Sequence, residues 1–276
     1  MRLKGRKKHQ ALIFILLLFF GSLLLLLRRQ PAEKPPEPRP EVEEVIKPEK
    51  KKQPLYRIAV IIDDVGYPSS SFQKYQQFAG RLSFSVLPFL ELSEQHAKIL
   101  HDSGFEILLH IPMEPLGYPE ADPGQNALFT FDSKQQVVSK INLMIDENPY
   151  AVGANNHMGS KATQDCELMG WVMDTIRQRN LFFIDSLTVG TSCAYTNAIE
   201  RRVPAARRDV FLDNEDDFNS IRAQFEELKR VARANGSAIG IGHIQKVHTI
   251  EVLQHQLPLL EAEGFTLVFA SEAVLN

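Results

Sequence analysis

Arg57-Ile58-Ala59-Val60-Ile61-Ile62 runs without a break into Asp63-Asp64, and the same design recurs four more times along the chain. Ile107–Leu109 ends in His110, Phe182–Ile184 in Asp185, Val210–Leu212 in Asp213, and Ile239–Ile241 in Gly242-His243. Short, almost wholly apolar runs of this kind are strands buried on both faces, the mark of a parallel sheet covered by helices. In a parallel barrel every strand hands over to a loop at one shared rim, so the residues that close these runs converge there.

Working outward from these runs, the chain alternates strands and helices from Leu55 to its end. Strands are expected at Arg57–Ile62, Ser83–Leu87, Glu106–Leu109, Val152–Ala154, Leu181–Ile184, Asp209–Leu212, Ala238–Ile241 and Thr266–Phe269. Between them, Val137, Ile141 and Met144 form the apolar stripe of a helix opened by Asp132 or Ser133. Thr163 reads as the N-cap of another, with Leu168, Val172 and Ile176 on one face. Eight such strands suit an irregular α/β barrel, with an open, doubly wound sheet as the competing architecture. About 220 residues are enough for one core of this kind.

The first 54 residues do not belong to that fold. Residues 1–10 are rich in Lys and Arg, and Ala11–Leu27 is nearly all Ala, Ile, Leu and Phe. As a helix this run measures roughly 25 Å, near the lower limit for a bilayer core of about 30 Å. It ends at Arg28-Arg29-Gln30-Pro31 rather than at small residues, which favours an uncleaved anchor over a signal peptide. The basic start places residues 1–10 in the cytoplasm. The expectation is a single pass through the inner membrane, with the C-terminal domain in the periplasm or outside. Residues 28–54 are Pro, Glu and Lys with scarcely an apolar side chain and read as an extended linker to the domain at 55–276. The whole chain carries a net charge of −3 with its basic residues massed at the N-terminus, so the outer domain is acidic. That argues against a nucleic-acid partner.

Two adjacent carboxylates leave the first strand in different directions, so one of Asp63 and Asp64 can bind a cation while the other accepts a proton. His110-Ile111-Pro112-Met113-Glu114-Pro115 offers an imidazole and a carboxylate on a proline-stiffened segment. Asn155-Asn156-His157-Met158-Gly159-Ser160 supplies a further ligand, and its amides satisfy loop backbone in the simplest reading. Two histidines and a carboxylate leave one position open on zinc, the arrangement of a catalytic rather than a structural site. Asp185, Arg208 and Asp213 are secondary candidates for orienting a histidine or pairing charge. His243, preceded by Gly240 and Gly242 that permit close approach, is a candidate general acid. Cys166 and Cys193 are the only cysteines; they either pair or act as two small hydrophobes.

Ile61-Ile62-Asp63-Asp64-Val65-Gly66, the His110–Pro115 segment, Asn155–Ser160 and Ile241-Gly242-His243, in this order, resemble the divergent polysaccharide deacetylases, distant relatives of the NodB-type carbohydrate esterases. The resemblance spans about Tyr56 to the C-terminus. It implies the irregular NodB-type barrel and a divalent metal, zinc foremost. It also implies an acetylated glycan or peptidoglycan-like substrate. By the same resemblance Asp63 is the base, Asp64 a metal ligand and His243 the acid. Glu114 stands where the NodB pattern has a second histidine ligand, so either Glu114 binds the metal or His157 replaces the missing imidazole; His157 is the favoured choice. The Arg-x-Pro-Tyr segment of the NodB enzymes is absent. The function expected is removal of N- or O-acetyl groups from an envelope or extracellular polysaccharide, and the alternative is an inactive glycan- or partner-binding protein on the same fold.

Overall fold

The first strand, β1 (Tyr56–Val65), explains the rest of the architecture in this computed structural model, which describes residues 56–78 and 80–274. Ile58 through Ile62 are all fully buried. Ile58, Val60 and Ile62 pack outward against helices, whereas Ala59 and Ile61 point inward to meet Leu108, Phe182, Ile184, Ile239 and Ile241. A strand whose two faces both meet apolar partners has no reason to alternate polar residues, hence the unbroken run. Each fully buried Ile contributes about 1.5–3 kcal/mol.

β2 (Ser83–Val86), β3 (Glu106–Met113), β4 (Ala151–Met158), β5 (Phe182–Asp185) and β6 (Ala205–Arg207) follow in order on one side of β1. β8 (Ser237–His243) and β7 (Val210–Phe211) lie on the other, and every pairing is parallel. β9 (Phe265–Val268) pairs with β1 over Tyr56–Ala59, ahead of the stretch from Ile61 where β2 joins. The two ends of this path are joined by Arg208 and Asp209 alone. Residues 205–211 therefore form one extended segment that changes partners: Ala205–Arg207 pair with Phe183–Asp185, and Val210-Phe211 with Gly240-Ile241. Two residues span little more than 10 Å, so the sheet must curl round on itself for this segment to reach both edges. The result is an irregular curled sheet rather than a flat, doubly wound one.

The helices cover the outside. They are α1 (Phe72–Gln76), α2 (Ser93–Asp102), α3 (Lys134–Glu147), α4 (Cys166–Gln178), α5 (Ala194–Glu200), α6 (Phe218–Asn235) and α7 (Val247–Gln256). The short α8 (Ala270–Ala273) adds Ala270 and Ala273 to the inner core. α3 starts at Ser133 with a capping box to Gln136 and buries Val137, Ile141 and Met144 as its stripe. α4 buries Leu168, Val172 and Ile176, but its N-cap is Asp165, whose side chain accepts from Glu167 N and Leu168 N. Thr163 instead sits in a short 3-10 turn and donates to Gly159 O. Cys166 and Cys193 are joined by a disulfide with Cα atoms 5.7 Å apart, tying the start of α4 to the residue before α5.

The strands outlast their apolar runs. β3 extends through His110 to Met113, and β4 runs to Met158, taking in Asn155, Asn156 and His157 that the sequence assigns to a loop. His110, Asn155 and Asn156 are buried, His157 is half-buried, and all four are bonded inside the fold, so hydrophobicity does not mark them as strand. Among the described residues no helix is long and apolar enough to cross a membrane; the Ala11–Leu27 run and the 28–54 linker lie outside the described residues.

Candidate functional site

Side chains two residues apart on a strand share a face. Continuing the inward rows of the core by that step leads from Ala59 and Ile61 to Asp63, from Leu108 to His110, and from Ile239 and Ile241 to His243. On β4, Ala154 faces outward, so Asn155 and His157 share the inner face. All five lie at the carboxyl end of the curled sheet.

Asp64 joins them by an irregularity. Adjacent strand residues face opposite ways, yet both carboxylates reach the same imidazole: His110 Nε2 is 3.6 Å from Asp63 Oδ2 and 3.2 Å from Asp64 Oδ1. By strand alternation alone the two acids would point in different directions. The reason for the convergence is that Asp64 adopts φ 64° where the β1–β2 register shifts between Ile62 and Val65. Gly66, at φ 127°, completes the turn, and a Cβ there would lie 2.8 Å from Ser93 Oγ.

Three atoms form a small triangle: Asp64 Oδ1, His110 Nε2 and His157 Nδ1. The carboxylate oxygen is 3.2 Å from the first nitrogen and 2.9 Å from the second, and the nitrogens are 3.2 Å apart. His110 Nδ1 donates to Asn155 Oδ1 at 2.7 Å, which leaves the Nε2 lone pair facing the triangle. Asn155 also accepts from Ser85 Oγ and donates through Nδ2 to Asp63 Oδ1 at 2.9 Å. One buried amide thus fixes both the imidazole tautomer and the Asp63 carboxylate. Asp64 Oδ1 is itself buried without a hydrogen-bond partner.

That orphaned oxygen is the test of whether a cation fits. Three lone-pair-bearing atoms this close repel unless positive charge lies among them, and tetrahedral ligands about 2.0–2.1 Å from zinc stand roughly 3.3 Å apart. Asp64, His110 and His157 form the group among the described residues suited to hold a metal ion. Burial opposes ionisation of Asp64, but the neighbouring His110 and His157 imidazoles hold its carboxyl well below the usual carboxylate range. Burial pushes Asp63 the other way, above its ordinary value, against the charges of His110 and His243.

His243 occupies the opposite corner, paired in register with Asp63 across β1 and β8. Its Nδ1 lies 2.7 Å from Asp213 Oδ1, and its backbone N–H donates to Asp213 Oδ2 at 2.6 Å. Thr249 Oγ1 donates to the same Oδ2 at 2.7 Å. Burial acts to lower the His243 pKa, but the bond and charge of Asp213, helped by Asp63 and Asp64, push it up to about 9. The approach that Gly242 permits is the protein's own: a Cβ there would lie 3.1 Å from Asp213 Oδ2 and 2.8 Å from Thr249 Cγ2. The Phe211 ring stacks beside His243, and the Arg208 guanidinium lies 3.7 Å from the Phe211 ring centroid. Arg208 is anchored by Nε to Ser186 O and Nη2 to Leu187 O.

Two sequence candidates are placed elsewhere. Glu114 accepts from Thr130 N and Oγ1 and pairs with Lys161 at 2.8 Å, bracing the segment after β3 and staying out of the triangle. Asp185 follows the inward Ile184 by one residue and so faces outward, where it accepts from Leu187 N, Ser192 Oγ and Tyr195 N. Asn156, likewise on the outer face, satisfies Met158 O and Ser186 N, the backbone role expected of both amides. Asn155 and Ser85 are site residues that sequence reasoning missed. The two-residue step from Asn155 to His157 was the available signal.

A family model described as divergent polysaccharide deacetylase matches residues 60–274. The chain is 37% identical over 220 residues to the uncharacterized protein YibQ of Escherichia coli (strain K12), covering 80% of this chain and 67% of that protein. A crystal structure of an uncharacterized protein from Agrobacterium tumefaciens C58 matches with a TM-score of 0.76 at 25% identity, covering 79% of this chain and 89% of that one. The catalytic domain of peptidoglycan N-acetylglucosamine deacetylase from Eubacterium rectale ATCC 33656 shares the fold, with a TM-score of 0.52 at 12% identity over 78% of this chain and 90% of that one. Because the matched region opens inside β1 and closes just after α8, taking in the whole set of clustered side chains, the chain belongs to the divergent polysaccharide deacetylases.

Proposed function

We propose that this protein is a metal-dependent hydrolase that removes N- or O-acetyl groups from an envelope or extracellular polysaccharide. The observation that carries the reading is the pairing of a cation-sized triangle, Asp64, His110 and His157, with a second buried carboxylate, Asp63, held by Asn155 on one side and an imidazole, His243, bonded to Asp213 beyond it. A divalent cation held by the triangle, zinc by the fit of its ligand set, supplies polarisation of an acyl carbonyl and of a water molecule.

The chain's own residues do the rest. Asp63, oriented by Asn155 Nδ2, accepts the proton of the attacking water; burial raises its proton affinity toward what a base at neutral pH needs. His243, kept protonated by Asp213, donates to the departing amine or alkoxide. The pairing of Asp63 with His243 on adjacent strands sets the two proton transfers on neighbouring sides of the site. We propose further that Ala11–Leu27 anchors this domain to the inner membrane, with the domain in the periplasm or outside.

Acetate release from acetylated oligosaccharides by the full-length protein tests the reading. Activity that is lost on chelation and restored by zinc is expected. Retained glycan binding with no acetate release across N- and O-acetylated substrates would replace it with a binding function.

A further inference from the structure

Among the described residues the aromatic side chains exposed by more than a third are Tyr67, Tyr118 and Phe131, at 44%, 41% and 71%. All three follow strands that carry the candidate site. Tyr67 comes just after Asp63-Asp64, and the other two lie between β3 and α3. Scattered single exposures need no explanation, but several apolar side chains from one segment mark an interaction surface.

The segment between β3 and α3 is built rather than loose. Leu128 N donates to Pro112 O and Glu114 N to Leu128 O, both at 2.9 Å, adding a rung on the edge of β3 that faces away from β4. Asp132 accepts from Phe129 N at 2.9 Å and from Lys140 Nζ at 2.7 Å. On this frame Phe131 lies nearly parallel to Phe129, centroids 5.0 Å apart at 14°, and Tyr118 meets Phe129 edge-on at 4.9 Å. The Lys140 ammonium stands 5.3 Å from the Phe129 centroid. Phe129 is thus held on several sides, and Phe131 is held against it while most of its own surface faces solvent.

We propose that Tyr118, Phe129 and Phe131 form a stacking platform for the sugar rings of an extended polysaccharide, so that the substrate is a polymer read at several units. The flat face of a pyranose presents weakly positive C–H groups, which suit the negative face of an aromatic ring. The platform continues the site: the Leu128 backbone lies two strand spacings, about 10 Å, from that of His157. The proposal rests on the deacetylase reading for which group is cut, though not for what is bound.

The test uses the full-length protein with N-acetylglucosamine and its linear hexamer as probes. Binding is followed by calorimetry and turnover by acetate release, in wild type, Phe131→Ala and Phe131→Tyr. The hexamer is expected to bind more tightly than the monomer. Phe131→Ala is expected to weaken the hexamer about three- to tenfold with monomer binding and metal content unchanged, and Phe131→Tyr to restore it. Equal hexamer affinity in wild type and Phe131→Ala, or no hexamer binding, overturns the platform. Acetate release that persists in either case leaves the deacetylase reading standing. Phe131-dependent hexamer binding without acetate release does the reverse, keeping the platform and removing the reading.

Discussion

His110 and His243 extend the same kind of inward strand row and each bonds through Nδ1 at 2.7 Å, yet they are built for different work. The partner of His110 is the neutral oxygen of Asn155, and that of His243 is the carboxylate of Asp213. An amide oxygen fixes the tautomer and leaves the far nitrogen as a lone pair, which is what a metal ligand needs. A carboxylate stabilises the doubly protonated ring, which is what an acid needs. Burial lowers the proton affinity of His110, and the charges of Asp63 and Asp64 more than reverse it in the metal-free protein. A cation in the triangle removes that reversal, whereas Asp213, the bonded support of His243, lies outside the triangle.

Between the two corners stands Asp63, and its loss has the largest effect on turnover. Asp63→Asn is expected to lower kcat by roughly 10²–10⁴ while the metal stays bound, read by steady-state kinetics beside elemental analysis. Asn155→Ala strikes the His110 corner alone. Metal affinity is expected to fall about 10–100-fold in chelator competition, with the alkaline limb of the pH profile unmoved.

Asp213→Asn strikes the other corner. The acid must carry its proton, so activity is lost as pH rises through the His243 value of about 9. Without the carboxylate charge this limb is expected about one to two pH units lower, with metal content intact. A limb that stays in place would dissolve the distinction between the corners. The acid limb belongs to Asp63, which must be ionised, and begins above the ordinary carboxylate range because its pKa is raised. In metal-free protein the His243 pair also links stability to pH. The folded pKa exceeds the ordinary 6.5, so the contribution is complete below pH 6.5 and lost as pH rises through about 9. Denaturant midpoints of wild type and His243→Gln should converge across that window.

The smallest effect on the site is expected from Cys166→Ser with Cys193→Ser. Removing this cross-link, whose ends are 27 residues apart, is expected to cost about 2–4 kcal/mol in unfolding and to leave metal affinity and kcat near wild type.

Much of the fold was legible because buried parallel strands announce themselves as apolar runs, and the residues ending those runs marked the rim. The two-residue step along a strand would have excluded Asp185 and recruited Asn155, but it requires knowing which face of each strand is inward. That assignment belongs to the packing: Ile184 on β5 and Ile241 on β8, with four strands between them in the sheet order, share one inner cluster only once the sheet has curled. The strand that changes partners at Arg208-Asp209 was illegible for a similar reason, since half of it is Ala205-Ala206-Arg207, with little side-chain area to reveal a strand. The convergence of Asp63 and Asp64 depends on a left-handed residue that sequence does not mark.

Metal content is the most direct test of the account. Full-length wild type, Asp63→Asn, Asp64→Ala, His110→Ala and His157→Ala would be dialysed against metal-free buffer, supplied with zinc, and measured by elemental analysis. The account predicts about one ion per chain in wild type and in Asp63→Asn, and loss of it in the other three. A wild type that holds no ion, or an Asp63→Asn variant that loses it with the rest, would contradict the division of labour between the two adjacent acids.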